Sequence, residues 1–265
     1  MSDATYFAAG VDAGGEVERL TLRESLFDPG TVAMLNAVGV QPGWRCLVAG
    51  AGHGSIARWL ADRVAPTGTV VATDIDTQFL TWCAGPNLEV RRHDLLEETL
   101  EAESYDLIHT RGLLLHLLDR QQQAIDRLVG AARLGGWLVI DESDAATLGP
   151  ADPSHPAFQT VTDVLAAGFD ASKRRVDLHG GRHTAATLIR HPELRVISTD
   201  ITATLERGGS PWGQYVAQTA GIVVSALSGA GEISTTSAEA FNAAMADPSF
   251  LFLTETRYQI LAQKI

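Results

Sequence analysis

The stretch Arg45-Cys46-Leu47-Val48-Ala49-Gly50-Ala51-Gly52-His53-Gly54-Ser55-Ile56-Ala57-Arg58-Trp59-Leu60 constrains the fold of this chain more than any other. It reads as a short buried strand, a glycine turn and the first turns of a helix, and the residues after it repeat that unit. Glycines at 50, 52 and 54 remove every second side chain from the turn. Backbone N–H groups and a helix N-terminus can then approach a bound cofactor without steric conflict.

The alternation predicts strands over Arg45–Ala49, Val70–Thr73, Leu88–Arg91, Tyr105–His109 and Trp137–Ile140. Helices are predicted over Ser55–Val64, after Asp74-Ile75-Asp76 through Cys83, and over Gln121–Arg133. Parallel strands need long crossovers, and the handedness of those crossovers puts helices on both faces of the sheet. After Asp141-Glu142 the pattern changes: Pro150, Pro153, Pro156, a helical stretch Phe158–Phe169 and Gly180-Gly181 read as a lid at the carboxyl edge of the sheet. Strand composition resumes over Leu194–Asp200 and Ile201–Leu205, helices are expected over Trp212–Leu227 and Ser237–Ala246, and Phe250–Leu253 with Tyr258–Ala262 suit an antiparallel edge.

Ahead of the first strand, leucines at 20, 22, 26 and 35 with a break at Asp28-Pro29-Gly30 predict two helices, the second running from Thr31 and ended by Gly39. Residues 1–15 are small, polar and glycine-rich, with Tyr6 and Phe7 as exceptions, and are expected to be mobile. The predicted fold class is α/β: a doubly wound, mostly parallel seven-stranded sheet with an antiparallel edge strand, N-terminal helices and a cap insertion after strand five. Its parts are an N-terminal helical lid segment (1–40), a cofactor-binding core (41–142), a cap (143–193) and the C-terminal part of the same core (194–265). Together they are read as one domain.

Composition narrows the partners. The formal charge is −12 and only two lysines, Lys173 and Lys264, are present, which argues against a broad phosphate-binding surface. Cys46 and Cys83 show neither disulfide-framework nor metal-site spacing, which suits a reducing cytoplasm. No apolar run is long enough for a bilayer, and the N-terminus lacks the pattern of a signal peptide.

Two strand-end acids discriminate among cofactors. Asp74 ends strand two, twenty residues beyond Gly54, where a carboxylate can accept both hydroxyls of a ribose. Asp94, in Arg92-His93-Asp94-Leu95, ends strand three, where it can accept an adenine amino group while the next backbone N–H meets the ring. Asp94 serves equally well as a cap for Leu95–Leu100.

With these residues the chain resembles the class I S-adenosylmethionine-dependent methyltransferases. The resemblance covers roughly residues 44–142 in order: Gly50-Ala51-Gly52-His53-Gly54, Val71-Ala72-Thr73-Asp74-Ile75-Asp76, His93-Asp94-Leu95, Tyr105 to Arg111 with Leu115-His116-Leu117, and Arg133 to Ile140. It is nearest in kind to bacterial small-molecule methyltransferases, whose N-terminal helices and insertion after strand five close over the cofactor and shape the substrate pocket. It implies S-adenosyl-L-methionine held by Ala49, Gly50, Ala51, Gly52, Asp74, Ile75, Asp94, Leu95, Thr110 and Arg111, with Arg111 toward the cofactor carboxylate. It also implies a small-molecule acceptor in specialised metabolism, a cytoplasmic location, a homodimeric assembly, and no nucleic acid or membrane partner. Two departures stand out. Val48 occupies the place of the usual acid two residues before the first motif glycine, and Leu134 replaces the usual proline.

Methyl transfer from a sulfonium is an in-line displacement, so alignment in a dry pocket supplies much of the rate. A protonated acceptor also needs a base, for which His116 and His109 are the candidates; His116 among its leucines is as readily a packed side chain. Arg111 has an alternative as the surface partner of Asp119 or Glu142. Trp212, Tyr215 and Phe158 are the candidate substrate-binding aromatics, with core packing as their alternative. No metal is expected, because His109-Thr110-Arg111 stand where a catechol-type site needs a carboxylate and Asp141-Glu142 alone are an incomplete set. Two other readings are an NAD-dependent oxidoreductase and a non-catalytic S-adenosylmethionine-binding protein. Against the first, none of the four tyrosines is followed four residues later by lysine.

Overall fold

A computed structural model describes residues 13–265, so the expectation for residues 1–12 lies outside the described residues. The elements in order are α1 (Ala13–Val38), β1 (Arg45–Ala49), α2 (Ser55–Val64), β2 (Thr69–Asp74), β3 (Leu88–Arg92), β4 (Tyr105–Arg111), α3 (Gln121–Ala131), β5 (Ala132–Asp144), β6 (Gly149–Pro150), α4 (Phe158–Ser172), α5 (Gly180–Arg190), β7 (Leu194–Thr202), β8 (Leu205–Arg207), α6 (Pro211–Gly229), α7 (Thr235–Ala246), β9 (Leu251–Leu253) and β10 (Thr256–Lys264). Short 3-10 turns cover Thr81–Cys83, Leu114–Arg120 and Ala145–Thr147.

These elements form two compact units. The sheet unit takes residues 27–144, 175–202 and 257–265. Its seven strands run in the order β3-β2-β1-β4-β5-β10-β7. The strands from β3 to β5 are parallel neighbours, and β10 pairs antiparallel with β7 at one edge. Strand order reverses between β1 and β4, the point at which open α/β sheets open a crevice for ligands. Alternation along each strand supplies both faces. Leu47 and Ala49 of β1 pack with Ile108, Leu138 and Ile140 against Ile125 and Leu128 of α3 and Leu188 of α5. Cys46 and Val48 pack with Leu107 and Val139 against Ile56, Leu60 and Val64 of α2 and Leu35 of α1. The sheet is doubly wound because every central strand is apolar on both sides.

The smaller unit takes residues 13–26 among the described ones, 145–174 and 203–256. It contains α4, α6, α7 and a three-stranded sheet in the order β6-β9-β8. Within it Glu16 and Arg19 form a buried pair at 2.6 Å, and Arg19 reaches the Thr219 hydroxyl at 3.4 Å.

Several sequence expectations change. The two expected N-terminal helices are one, because Pro29 is carried inside α1 and Gly39, at φ +75°, ends it through N–H bonds to the carbonyls of Leu35 and Asn36. The helix expected through Cys83 shrinks to the single turn Thr81–Cys83. Helix α5 begins at Gly180-Gly181, glycines placed in the expected lid; a Cβ at Gly180 would meet Leu115 and one at Gly181 would meet the Tyr258 ring, so close approach explains them. Phe250–Leu253 belongs to the small sheet and leaves Tyr258–Ala262 within β10 as the reversed strand. Residues 203–256 group with 145–174, so the stretch 194–265 read as core divides between the units, as does the expected cap 143–193.

One buried group makes the fold pH-sensitive. His93, 5% exposed, follows β3, and burial holds its imidazole below the ordinary value of 6.5, outweighing the Glu98 carboxylate 3.7 Å from Nδ1. A base with a depressed folded pKa contributes stability above its unfolded pKa and loses it as pH falls through the folded one. The melting temperature of the wild type therefore falls more steeply below pH 6.5 than that of His93→Gln. Parallel profiles for the two proteins would contradict this.

Candidate functional site

The register of the parallel strands builds the site. Ala49 pairs with Thr73 on one side and Thr110 on the other, and Thr110 pairs with Ile140. The next residue of each strand therefore stands in one row across the carboxyl rim: Asp74, Gly50, Arg111 and Asp141. Neighbouring strands lie about 4.8 Å apart, so Asp74 and Arg111 flank the glycine turn with about 10 Å between their backbones.

The turn is held from both sides. Ala51 N–H donates to the Thr73 carbonyl at 3.0 Å, and Gly52 N–H donates to Asp74 Oδ2 at 3.0 Å. Asp74 Oδ1 accepts the Asp76 N–H at 3.2 Å. Gly52 adopts φ +60°, and a Cβ there would meet nothing within 4 Å among the described residues, so the turn is uncrowded at that point. Gly54 differs: a Cβ would stand 2.9 Å from Cys83 Sγ, so it serves close packing. From outside, the indole N–H of Trp82 donates to the His53 carbonyl at 2.8 Å. Burial pushes the Asp74 carboxyl above the usual carboxylate range, against the backbone N–H bonds that lower it. Ile75 beside it is 39% exposed, an apolar side chain left facing solvent.

Arg111 reaches α1. Its Nη1 donates to Asp28 Oδ1 at 2.7 Å and to the Thr31 hydroxyl at 3.2 Å, both on α1. Asp28 Oδ1 also accepts the Ser55 hydroxyl at 3.1 Å, tying α1 to the first residue of α2. Thr31 donates to Asp141 Oδ2 at 2.9 Å, and Asp141 is ion-paired with Arg257. Glu142 accepts the N–H groups of Leu113 and Leu114 through Oε1, at 2.9 and 2.8 Å, and so fixes the start of the Leu114–Arg120 segment. A Cβ on Gly50 would touch the Leu113 side chain at 3.1 Å.

The other candidates fall as follows. Ala49 ends β1 and Thr110 is the last residue but one of β4, both buried, and the Thr110 hydroxyl has no hydrogen-bond partner among the described residues. Asp94 Oδ1 accepts the Leu96 N–H at 2.9 Å, and the Asp94 carbonyl accepts from Glu97 and Glu98, so it caps the following turn, the alternative weighed above. Leu95 is buried in the core. His109 lies on β4 short of the rim, 1% exposed, with Nδ1 2.8 Å from the Val139 carbonyl oxygen. It occupies the sheet interior rather than a position open to an acceptor. His116 is exposed on the segment that follows β4. Trp212, Tyr215 and Phe158 belong to the smaller unit. There Tyr215 is 6% exposed, meets Trp212 edge-on at 5.7 Å, and has its hydroxyl pKa raised by burial.

Sequence reasoning missed Asp28, hidden in what read as a helix break, and the Glu142 clamp. It also missed the pair His183–Asp177, 2.6 Å apart, whose Asp177 N–H bonds to the Leu115 carbonyl. A positional signal existed only for Asp28, which adjoins the Pro29-Gly30 dipeptide.

Residues 47–138 match the family model described as a methyltransferase domain. The chain carries a methyltransferase domain with the Rossmann-like fold of the class I S-adenosylmethionine-dependent enzymes. A methyltransferase designated str2 from Strobilurus tenacellus is 34% identical over 103 residues, covering 38% of this chain and 36% of that protein. The matches span about a third of the length of the curated relatives. Among solved structures, a geranyl diphosphate methyltransferase in complex with S-adenosylmethionine aligns over 99% of this chain and 95% of its own, with 14% identity and a TM-score of 0.54. The [4+2]-cyclase SpnF aligns over 89% and 80%, with 13% identity and a TM-score of 0.53. At such identities these structures establish the fold of the methyltransferase domain alone. Among the described residues no helix is long and apolar enough to cross a membrane.

Proposed function

We propose that this chain is an S-adenosyl-L-methionine-dependent methyltransferase that acts on a small-molecule acceptor by in-line displacement without a metal. The observation that carries this reading is the row Asp74, Gly50, Arg111 across the rim at the point where strand order reverses. Its chemistry fits the parts of the cofactor in turn. Asp74 accepts ribose hydroxyls, the exposed Ile75 offers an apolar face to the adenine, and Leu95 N–H with Asp94 meets the ring edge. The space beside Gly52 admits the nucleoside, and Arg111 with the Thr110 backbone faces the amino-acid end. When bound, the cofactor supplies an electrophilic methyl group on a sulfonium.

The chain's own residues align the acceptor and, where the acceptor carries a proton, remove it. His116 is the base in this reading because its ring is exposed on the segment that follows β4. Metal-free chemistry is supported by the engagement of the two rim acids, Asp141 by Arg257 and Thr31 and Glu142 by backbone N–H groups. A role in specialised metabolism and a cytoplasmic location belong to the same reading, the latter suited by two cysteines that are both buried.

The test is transfer of an isotopically labelled methyl group to a panel of phenols, carboxylates, amines and prenyl compounds. Label in a small-molecule product is expected. Cofactor binding without transfer to any acceptor would favour a non-catalytic binding protein, a reading to which Val48 lends weight.

A further inference from the structure

We infer that Asp28 and Arg111 together form a receptor for the zwitterionic amino-acid end of the cofactor, with Asp28 replacing the acid that Val48 displaces. The inference rests on the cofactor reading above and assigns a residue to it that the sequence motifs do not contain. Val48 is apolar and 3% exposed, packed in the face that meets α2, so position 48 offers no charge to an ammonium group. A carboxylate at the start of α2 is instead delivered by α1. Asp28 accepts the Ser55 hydroxyl at 3.1 Å, one residue past the last motif glycine, and accepts from Arg111 at 2.7 Å.

Geometry and burial suit the two halves of the pair to opposite charges of one ligand. The Arg111 side chain is 9% exposed and that of Asp28 is 26% exposed, so both are partly withdrawn from water and neither is free to wander as a surface pair would. Asp141, next to Arg111 in the rim row, is ion-paired with Arg257 and accepts from Thr31, while Asp28 takes the Arg111 guanidinium. An α-ammonium and an α-carboxylate carried on one carbon can exchange with this contact: the ammonium donates to Asp28 and the carboxylate accepts from Arg111. Net charge at the site is unchanged by that exchange, so no charge is left uncompensated. The Ser55 hydroxyl keeps Asp28 at the glycine turn while this happens.

The experiment is calorimetry with four ligands: S-adenosylhomocysteine, its deaminated analogue, its decarboxylated analogue, and 5′-methylthioadenosine, which lacks both groups. Wild type is expected to bind S-adenosylhomocysteine about 10- to 100-fold tighter than the deaminated analogue, the range of one charge-assisted hydrogen bond. Asp28→Asn is expected to erase that preference and to leave 5′-methylthioadenosine affinity unchanged. Equal wild-type affinity for S-adenosylhomocysteine and the deaminated analogue would overturn the assignment, and this comparison needs no folded variant. So would an Asp28→Asn protein that keeps the full preference. Failure of all four ligands to bind wild type would instead sink the cofactor reading itself.

Discussion

Asp141→Ala destabilises the sheet unit by about 3–5 kcal/mol, the cost of leaving a buried charge without its partner. The Asp141 side chain is fully buried and that of Arg257 is 10% exposed. Arg257 lies 4.4 Å from the centroid of the Phe27 ring and donates to the Phe27 carbonyl at 3.3 Å, so the guanidinium is anchored and cannot swing out to water. Removal of the carboxylate also strips Thr31 of its acceptor. For a chain of this size the melting temperature should fall by about 6–20 °C in scanning calorimetry. The double variant Asp141→Leu, Arg257→Met should recover most of the loss, because an apolar pair of similar volume pays no desolvation cost. A fall below about 3 °C for Asp141→Ala would show that water reaches the pair.

Asp74→Ala should weaken S-adenosylhomocysteine binding by about 2–4 kcal/mol, or roughly 30- to 1,000-fold, because charge-assisted bonds to two hydroxyls are lost together. The same residue is a liability without ligand. Burial raises its pKa, so the folded state binds the proton more tightly than the unfolded one. That contribution to stability is complete below the unfolded pKa of about 3.9 and is lost as pH rises through the folded value. At pH 7 the ionised carboxylate therefore costs stability, and Asp74→Asn should melt at or above the wild-type temperature while binding the nucleoside poorly. An Asn variant that melted lower and still bound normally would assign Asp74 to structure alone.

How much of this was legible in the sequence depends on the range of the interaction. Strands β1 to β4 appeared within two residues because their apolar runs sit between glycine and acidic punctuation, as in Cys46 to Gly50 and Val70 to Asp74, whereas β5 runs from Ala132 to Asp144, well beyond the expected Trp137–Ile140. Asp74 was legible by its place at the end of β2. Two kinds of feature were not legible. Pro29 looked like a break because the local penalty of proline in a helix is visible in sequence, whereas the tertiary bonds of Asp28 and Thr31 that hold the helix across it are not. His116 and His109 exchanged environments for a similar reason. A histidine among leucines reads as buried and one at a strand end reads as accessible, but the 3-10 segment turns the first outward and the length of β4 draws the second inside. The division of 194–265 between two units was hidden as well, since β7 and β8 are adjacent in sequence and belong to different sheets.

The central claim is that the glycine turn and the acid at the end of β2 hold an S-adenosyl nucleoside. Titration of the wild-type chain with S-adenosylhomocysteine and with NAD, side by side in one calorimeter, tests it most directly. Saturable one-site binding of the first and none of the second is the predicted result. Binding of NAD alone, or of neither, would contradict it.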